Sequence, residues 1–213
     1  MKRRDFSAAA LTASMGFGPA WAQPKRPDEG TDYMALERRA PVEAPAGKIE
    51  VVEFFWYSCP HCNAFEPKLE NWIKAAPKDV VVRRAPVAFR DTFVPEQRLF
   101  FTLEAMGKVD ELHRKVFYAI HVEKIQLNKE ELILAWMQKQ GVDKAKFSEI
   151  YNSFGVNAKA SKAKQLQDAY KVSGVPAMGI AGRFYTDGQL AQNMDKALAV
   201  TDYLIAEVRK KPV

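Results

Sequence analysis

Between positions 49 and 55 the chain reads Ile-Glu-Val-Val-Glu-Phe-Phe, a β-branched and aromatic run too short for a typical helix and therefore expected to be a buried strand. The period then changes. Phe65, Leu69, Trp72 and Ile73 recur three or four apart, as one buried face of a helix over residues 62–76 requires. Residues 80–87, rich in valine, return to the strand pattern, and strand-helix-strand is the opening of a parallel βαβ unit. From residue 90 the period is helical: 95–106, 109–121, a stretch opened by Asn128 and running to 140, and one opened by Asp143 and ending near Phe154. Gly107, Gly141 and Gly155 stand where helix stops are expected. A polar helix over 157–172 carries Lys159, Lys162, Lys164 and Lys171, which read as a solvated face. Strand signals reappear at 177–180 and 183–186 around Ala181-Gly182, a hairpin, and Leu198, Leu204 and Ile205 pack a last helix over 194–208. Residues 23–32, with Pro24, Pro27 and Gly30, are a lead-in, and 41–47 a turn before the first strand. The class expected is α/β, with an all-helical middle.

The chemistry sits where the first strand ends. Cys59-Pro60-His61-Cys62 holds the only two cysteines of the 213 residues, so each thiol's partner within the chain is the other. Pro60 suits the first turn of a helix, where a missing N–H removes nothing. Cys59 therefore falls at a helix N-terminus, where unpaired N–H groups and the helix dipole favour a thiolate, and His61 adds to this if protonated or donating a hydrogen bond. Each pKa unit by which that thiolate lies below ambient pH favours the reduced pair by about 1.4 kcal/mol, or roughly 30 mV in a two-electron couple. Cys62, one turn inward, is expected to be the shielded resolving thiol. Two other readings compete. A Cys-x-x-Cys is also half a zinc site, but His61, His113 and His121 supply no second paired spacing, so no metal is expected. A purely structural disulfide would close too small a loop to constrain the unfolded chain much.

Composition narrows the class. Hydrophobic residues make up 47% and aromatic ones 11%, enough for a substantial core. The formal charge of +6 is spread along several segments, without an arginine block or a nucleic-acid-binding motif, so no nucleic acid is expected as a partner. The first 22 residues look like an export signal: Lys2-Arg3-Arg4, a mildly apolar segment, then Ala20-Trp21-Ala22, with cleavage expected near Ala22. Arg3-Arg4-Asp5-Phe6 also resembles a twin-arginine signal. Either route leads out of the bacterial cytoplasm, to a compartment where disulfides persist.

Glu53-Phe54-Phe55, Cys59-Pro60-His61-Cys62, Gly174-Val175-Pro176-Ala177-Met178 and Asn193-Met194-Asp195, in this order, resemble the DsbA family of periplasmic thiol:disulfide oxidoreductases. The likeness runs over nearly all of the chain after the signal. It implies a thioredoxin fold over residues 33–90 and 161–213, interrupted by a helical insertion over 91–160 that caps the active site. It implies that Pro176 is cis and lies beside Cys59, with Val175 offering backbone hydrogen bonds to an extended substrate. The family's buried acid beneath the second cysteine falls on Glu53, for which burial logic alone demands a partner or a proton. The basic companion falls on Arg84, which cannot give up its proton and so is a doubtful relay. His61, where thioredoxins carry glycine, favours an oxidant over a reductant.

The resemblance implies as partners reduced or unfolded exported proteins and a DsbB-type, quinone-linked membrane oxidase; no cofactor is implied and a monomer is expected. A disulfide isomerase or reductase is the second enzymatic reading, though isomerases of the superfamily add a dimerisation domain of about 50 residues or more, for which the lead-in leaves no room. A peptide-binding chaperone with an incidental thiol pair is the reading from another class. His113 and His121 are expected to be surface or packing residues, while Trp56 and Tyr57 either line a substrate groove or simply pack.

Overall fold

A computed structural model describes residues 26–210. The expected export signal, residues 1–22, lies outside them. Five strands form one mixed sheet in the order β1-β5-β4-β2-β3: β1 (Met34–Ala35), β2 (Ile49–Phe55), β3 (Val80–Pro86), β4 (Ala177–Ile180) and β5 (Phe184–Asp187). All seven residues of β2 are buried, as a strand covered on both faces must be, and β2 pairs in parallel with β3 and antiparallel with β4. The helix α1 (Pro60–Ala75) is the crossover between the parallel pair.

Between β3 and β4 the chain is helical: α2 (Val94–Ala105), α3 (Val109–His121), α4 (Glu130–Lys139), α5 (Lys144–Tyr151) and α6 (Phe154–Ala169). The closing helix is α7 (Met194–Lys210). The helical core gathers Leu99, Phe100, Phe117, Trp136 and Phe147, and Phe55, Tyr57, Cys59 and Cys62 belong to that same cluster. A second cluster joins Val51, Met178 and Ile180 of the sheet to Phe65 and Leu69 of α1 and Leu204 of α7. On the opposite sheet face Val52 and Phe54 meet Leu166 and Tyr170. The two cysteines thus stand at the seam between the helical region and the sheet.

Three boundaries differ from the sequence reading. Gly155 does not stop a helix; it lies in the first turn of α6, because the Ser153 hydroxyl accepts the Val156 N–H and starts a new helix at Phe154. The helix expected from Asn128 begins at Glu130. The edge strand β1, paired antiparallel with β5 through Met34–Tyr185 and Ala35–Phe184, falls just past the expected lead-in. Gly107 and Gly141 do end α2 and α4 in left-handed conformations, at φ 65° and 79°. One glycine is fixed by a close approach instead: a Cβ on Gly179 of β4 would stand 2.4 Å from the Tyr170 ring.

Candidate redox site

Cys59 occupies the N-cap position of α1 with extended backbone (φ −81°, ψ 117°), and no side chain caps the helix. The N–H groups at the start of α1 therefore remain available to the sulfur. The Cys59 thiol is lowered to about 6, chiefly by a hydrogen bond from Cys62, then by the backbone N–H groups of Cys62 and His61 and the charge of His61, against the opposing effect of burial. Cys62 is fully buried, and burial followed by the neighbouring Cys59 sulfur pushes its thiol well up. One sulfur is a thiolate at neutral pH and the other a thiol. Both are reduced in this structure.

Val175-Pro176 is a cis peptide, and the Val175 carbonyl oxygen lies 3.4 Å from Cys59 Sγ. Beside it a cavity of about 590 Å³ is lined by His61, Val175, Pro176, Gln189, Asn193 and Met194. Pro60 and His61, which follow the reactive cysteine, are exposed. A larger hollow of about 720 Å³, around Leu36, Tyr170 and Tyr185, contains neither cysteine.

Beneath the cysteines lies a buried charge cluster. Glu53 of β2 and Arg84 of β3 are register partners, with Arg84 Nε donating to Glu53 Oε2 at 3.0 Å. Arg84 Nη2 donates to Glu66 Oε1 of α1, so one guanidinium serves two carboxylates. Burial, and then the neighbouring Glu66 charge, push the Glu53 carboxyl up to about 8 against the pull of Arg84. Burial also acts to raise Glu66, but His113 and Arg84 outweigh it and hold this carboxyl below its ordinary value. Arg84 stays protonated: burial opposes its charge, and the two carboxylates more than compensate.

The sequence-predicted residues Cys59, Pro60, His61, Cys62, Val175 and Pro176 come together at one end of α1, with Glu53 and Arg84 paired behind them. Four residues were missed. Glu66 sits four positions after Cys62 on the buried face that also holds Leu69, and a charge inside that apolar stripe was the available signal. His113, expected at the surface or in packing, is only 3% exposed and faces Glu66 and Tyr57, because it shares the face of α3 that buries Leu112, Val116 and Phe117. Ser58 and Glu96 join the active-site loop to α2, the Glu96 carboxylate accepting the Ser58 N–H at 2.9 Å and its hydroxyl at 2.5 Å. An acidic residue in a first helical turn is ordinary, so Glu96 carried no signal. His121 is half-buried against the Tyr57 carbonyl, Tyr57 packs on Phe55 and Phe117, and Trp56 stacks on Phe93 with rings 3.9 Å apart.

The family model described as a DSBA-like thioredoxin domain matches residues 50–199. Thiol:disulfide interchange protein DsbA of Bordetella parapertussis is 42% identical over 208 residues, 97% of either chain, and that of Burkholderia cepacia 37% identical over 98% of this chain and 99% of its own. The crystal structure of Pseudomonas aeruginosa DsbA superposes with a TM-score of 0.81 at 42% identity, covering 85% of this chain and 94% of that one. The matched segment contains both cysteines, the cis-proline and the whole helical middle. With relatives aligned nearly end to end, the chain belongs to the DsbA family and carries out thiol:disulfide exchange.

Proposed function

We propose that the protein oxidises reduced, extended segments of exported proteins in the periplasm, as an exported monomer freed of its first 22 residues. The single observation that carries this reading is the inequality of the two sulfurs, one stabilised as an anion and the other held as a buried thiol. At pH 7 a thiol lowered to about 6 stabilises the reduced pair over one of ordinary acidity by roughly 1.4 kcal/mol, about 30 mV toward an oxidant.

In the forward cycle a substrate thiolate attacks Cys59 Sγ in the Cys59–Cys62 disulfide. The S–S bond breaks, its electron pair goes to Cys62 Sγ, and that buried sulfur takes up a proton. Glu53, whose carboxyl is protonated at neutral pH, is the proton-handling group for this step, and Arg84 anchors it without relaying. A second substrate thiolate then attacks its own sulfur in the mixed disulfide, and Cys59 leaves as the stabilised thiolate. Two electrons have passed to the enzyme and the substrate holds a disulfide. Val175 and Pro176 hold the substrate backbone beside Cys59, His61 stabilises the thiolate, and a helical unit over 91–160 caps a thioredoxin unit over 33–90 and 161–213. A quinone-linked membrane oxidase of the DsbB type removes the two electrons.

The test is transfer from the oxidised protein to a reduced, unfolded substrate. Stoichiometric oxidation is expected, abolished in Cys59→Ser; a Cys59→Ser protein that still transfers the disulfide would refute the assignment. An equilibrium with glutathione as reducing as that of thioredoxin would favour the reductase or isomerase reading, and peptide binding unchanged in the double Cys→Ser protein the chaperone reading.

A further inference from the structure

From the helical region, α3 brings the titratable side chain of His113 to the charge cluster behind the cysteines. Its imidazole is enclosed by groups from four segments: Tyr57 after β2, Glu66 and Glu70 on α1, Arg84 on β3, and Arg114 beside it on α3. The Tyr57 hydroxyl lies 2.8 Å from His113 Nδ1. Burial keeps that phenol protonated, and among the described residues Nδ1 is the one partner its hydroxyl has, so the hydroxyl donates to Nδ1. The reverse tautomer would leave the phenolic hydrogen without an acceptor and point a ring lone pair at a carboxylate. The proton of the neutral imidazole therefore sits on Nε2, which faces Glu66 Oε2 at 3.4 Å. Neither of these two atoms has a hydrogen-bond partner among the described residues, so their 3.4 Å approach is a polar contact and not a formed hydrogen bond, and Glu53 Oε1 likewise has none.

Two carboxylates share one guanidinium here. Ionising both would leave a buried negative charge without a counter-ion, so the cluster retains one proton. Arg84 does not decide where, because it bonds to both. The imidazole touches only one of them. We propose that His113 is a positioning residue of the redox site: its Nε2–H fixes the negative charge of the buried pair on Glu66 and thereby leaves the pair's proton on Glu53. The arrangement is electrically balanced, with Arg84 positive, Glu66 negative, and Glu53 and His113 neutral. A hollow of about 340 Å³ is bordered by Glu70, Arg84, Asp110, His113 and Arg114. In this way the helical region, through α3, determines the protonation of an acid carried by the sheet.

The inference deepens the proposed role of Glu53 and rests on that reading for its consequence, but its test reads protonation and not turnover. Carbon-13 titration of the glutamate carboxyl groups is compared in the wild-type protein and in Glu53→Gln, His113→Leu, His113→Gln and Tyr57→Phe. The midpoint near 8 is expected to vanish in Glu53→Gln, which assigns it. In His113→Leu it falls by about one unit or more while that of Glu66 rises, since the imidazole no longer favours the charge on Glu66. His113→Gln, which keeps an N–H for Glu66, restores it, and Tyr57→Phe, which frees the tautomer, lowers it part of the way. A Glu53 midpoint unchanged in His113→Leu, or lowered equally by leucine and glutamine, overturns the assignment. Should His113→Leu not fold, an unchanged midpoint in Tyr57→Phe does so. Full disulfide-transfer rates in Glu53→Gln would sink the proton-handling role alone and leave the His113 assignment standing.

Discussion

Ser58, the residue before the reactive cysteine, gives both its backbone N–H and its hydroxyl to the carboxylate of Glu96 on α2. The loop that carries Cys59 is thereby tied to a helix thirty-eight positions further on. Glu96 is almost completely buried, and burial raises its carboxyl to about 7 although the Ser58 bonds oppose this. Removing the acceptor in Glu96→Ala leaves a half-buried N–H without a partner, which costs about 1–3 kcal/mol. Removing only the hydroxyl in Ser58→Ala costs about 1 kcal/mol. Denaturant unfolding of the two single variants and the double variant should give a coupling of about 1 kcal/mol, and strict additivity would show that the contact holds nothing.

Tyr170 and Gly179 make a second prediction, independent of the chemistry. The Tyr170 ring occupies the space of the missing Gly179 side chain, and its hydroxyl accepts the Gly182 N–H at 2.9 Å. A methyl group at 179 must displace a ring belonging to a buried tyrosine of the sheet core. Gly179→Ala is expected to destabilise the protein by about 1–3 kcal/mol, read as a lower denaturant midpoint. The free Cys59 thiolate, monitored by its ultraviolet absorbance, should titrate as before in the folded variant.

These two relationships also mark where sequence reading stops. Local signals suffice for β2, α1 and the β4–β5 hairpin, because each writes its own period and Pro60 and Gly182 punctuate it. They suffice for the cysteine pair too, since the chain has only two cysteines, whereas Pro176, one of twelve prolines, is singled out by the family resemblance. Glu53 is legible as a charge in an apolar strand, and the same logic would have found Glu66 in the stripe of Cys62, Phe65 and Leu69. His113 and Glu96 are different. Their roles depend on which helices of the inserted region pack against the active-site loop, and that is a long-range fact written in no local pattern. The edge strand β1 escapes for another reason, as two residues cannot display a period.

Burial of Glu53 predicts an alkaline weakness. Its folded carboxyl lies near 8, above the ordinary value, so the folded state binds the proton more tightly than the unfolded chain does. The associated stability is fully present below the unfolded pKa of about 4.5 and is lost as pH rises through about 8. Within that window each pH unit removes up to about 1.4 kcal/mol for this group. Glu53→Gln, neutral at every pH, should flatten the decline, and its melting temperature should exceed that of the parent at pH 8 by more than at pH 5. Parallel melting curves across the range would contradict the assignment of the proton to Glu53.

The last prediction follows the protons of the couple itself. Below about pH 6 the reduced protein carries two thiols, so reduction takes up two protons with two electrons, and the potential falls by about 59 mV per pH unit. Between about 6 and the much higher pKa of Cys62, Cys59 is a thiolate and reduction takes up one proton, so the slope halves to about 30 mV per unit. An equilibrium titration with glutathione at a series of pH values should therefore show a break near 6. His61→Leu removes the charge that helps to lower Cys59, so the break should move to higher pH and the protein should become less oxidising at neutral pH. The hydrogen bond from Cys62 and the helix N–H groups remain in that variant, so the break moves only part of the way toward the ordinary thiol value. A single slope of about 59 mV from pH 5 to 8 would mean that no thiolate forms at position 59 in this range, and the driving force assigned to the site would have to come from elsewhere.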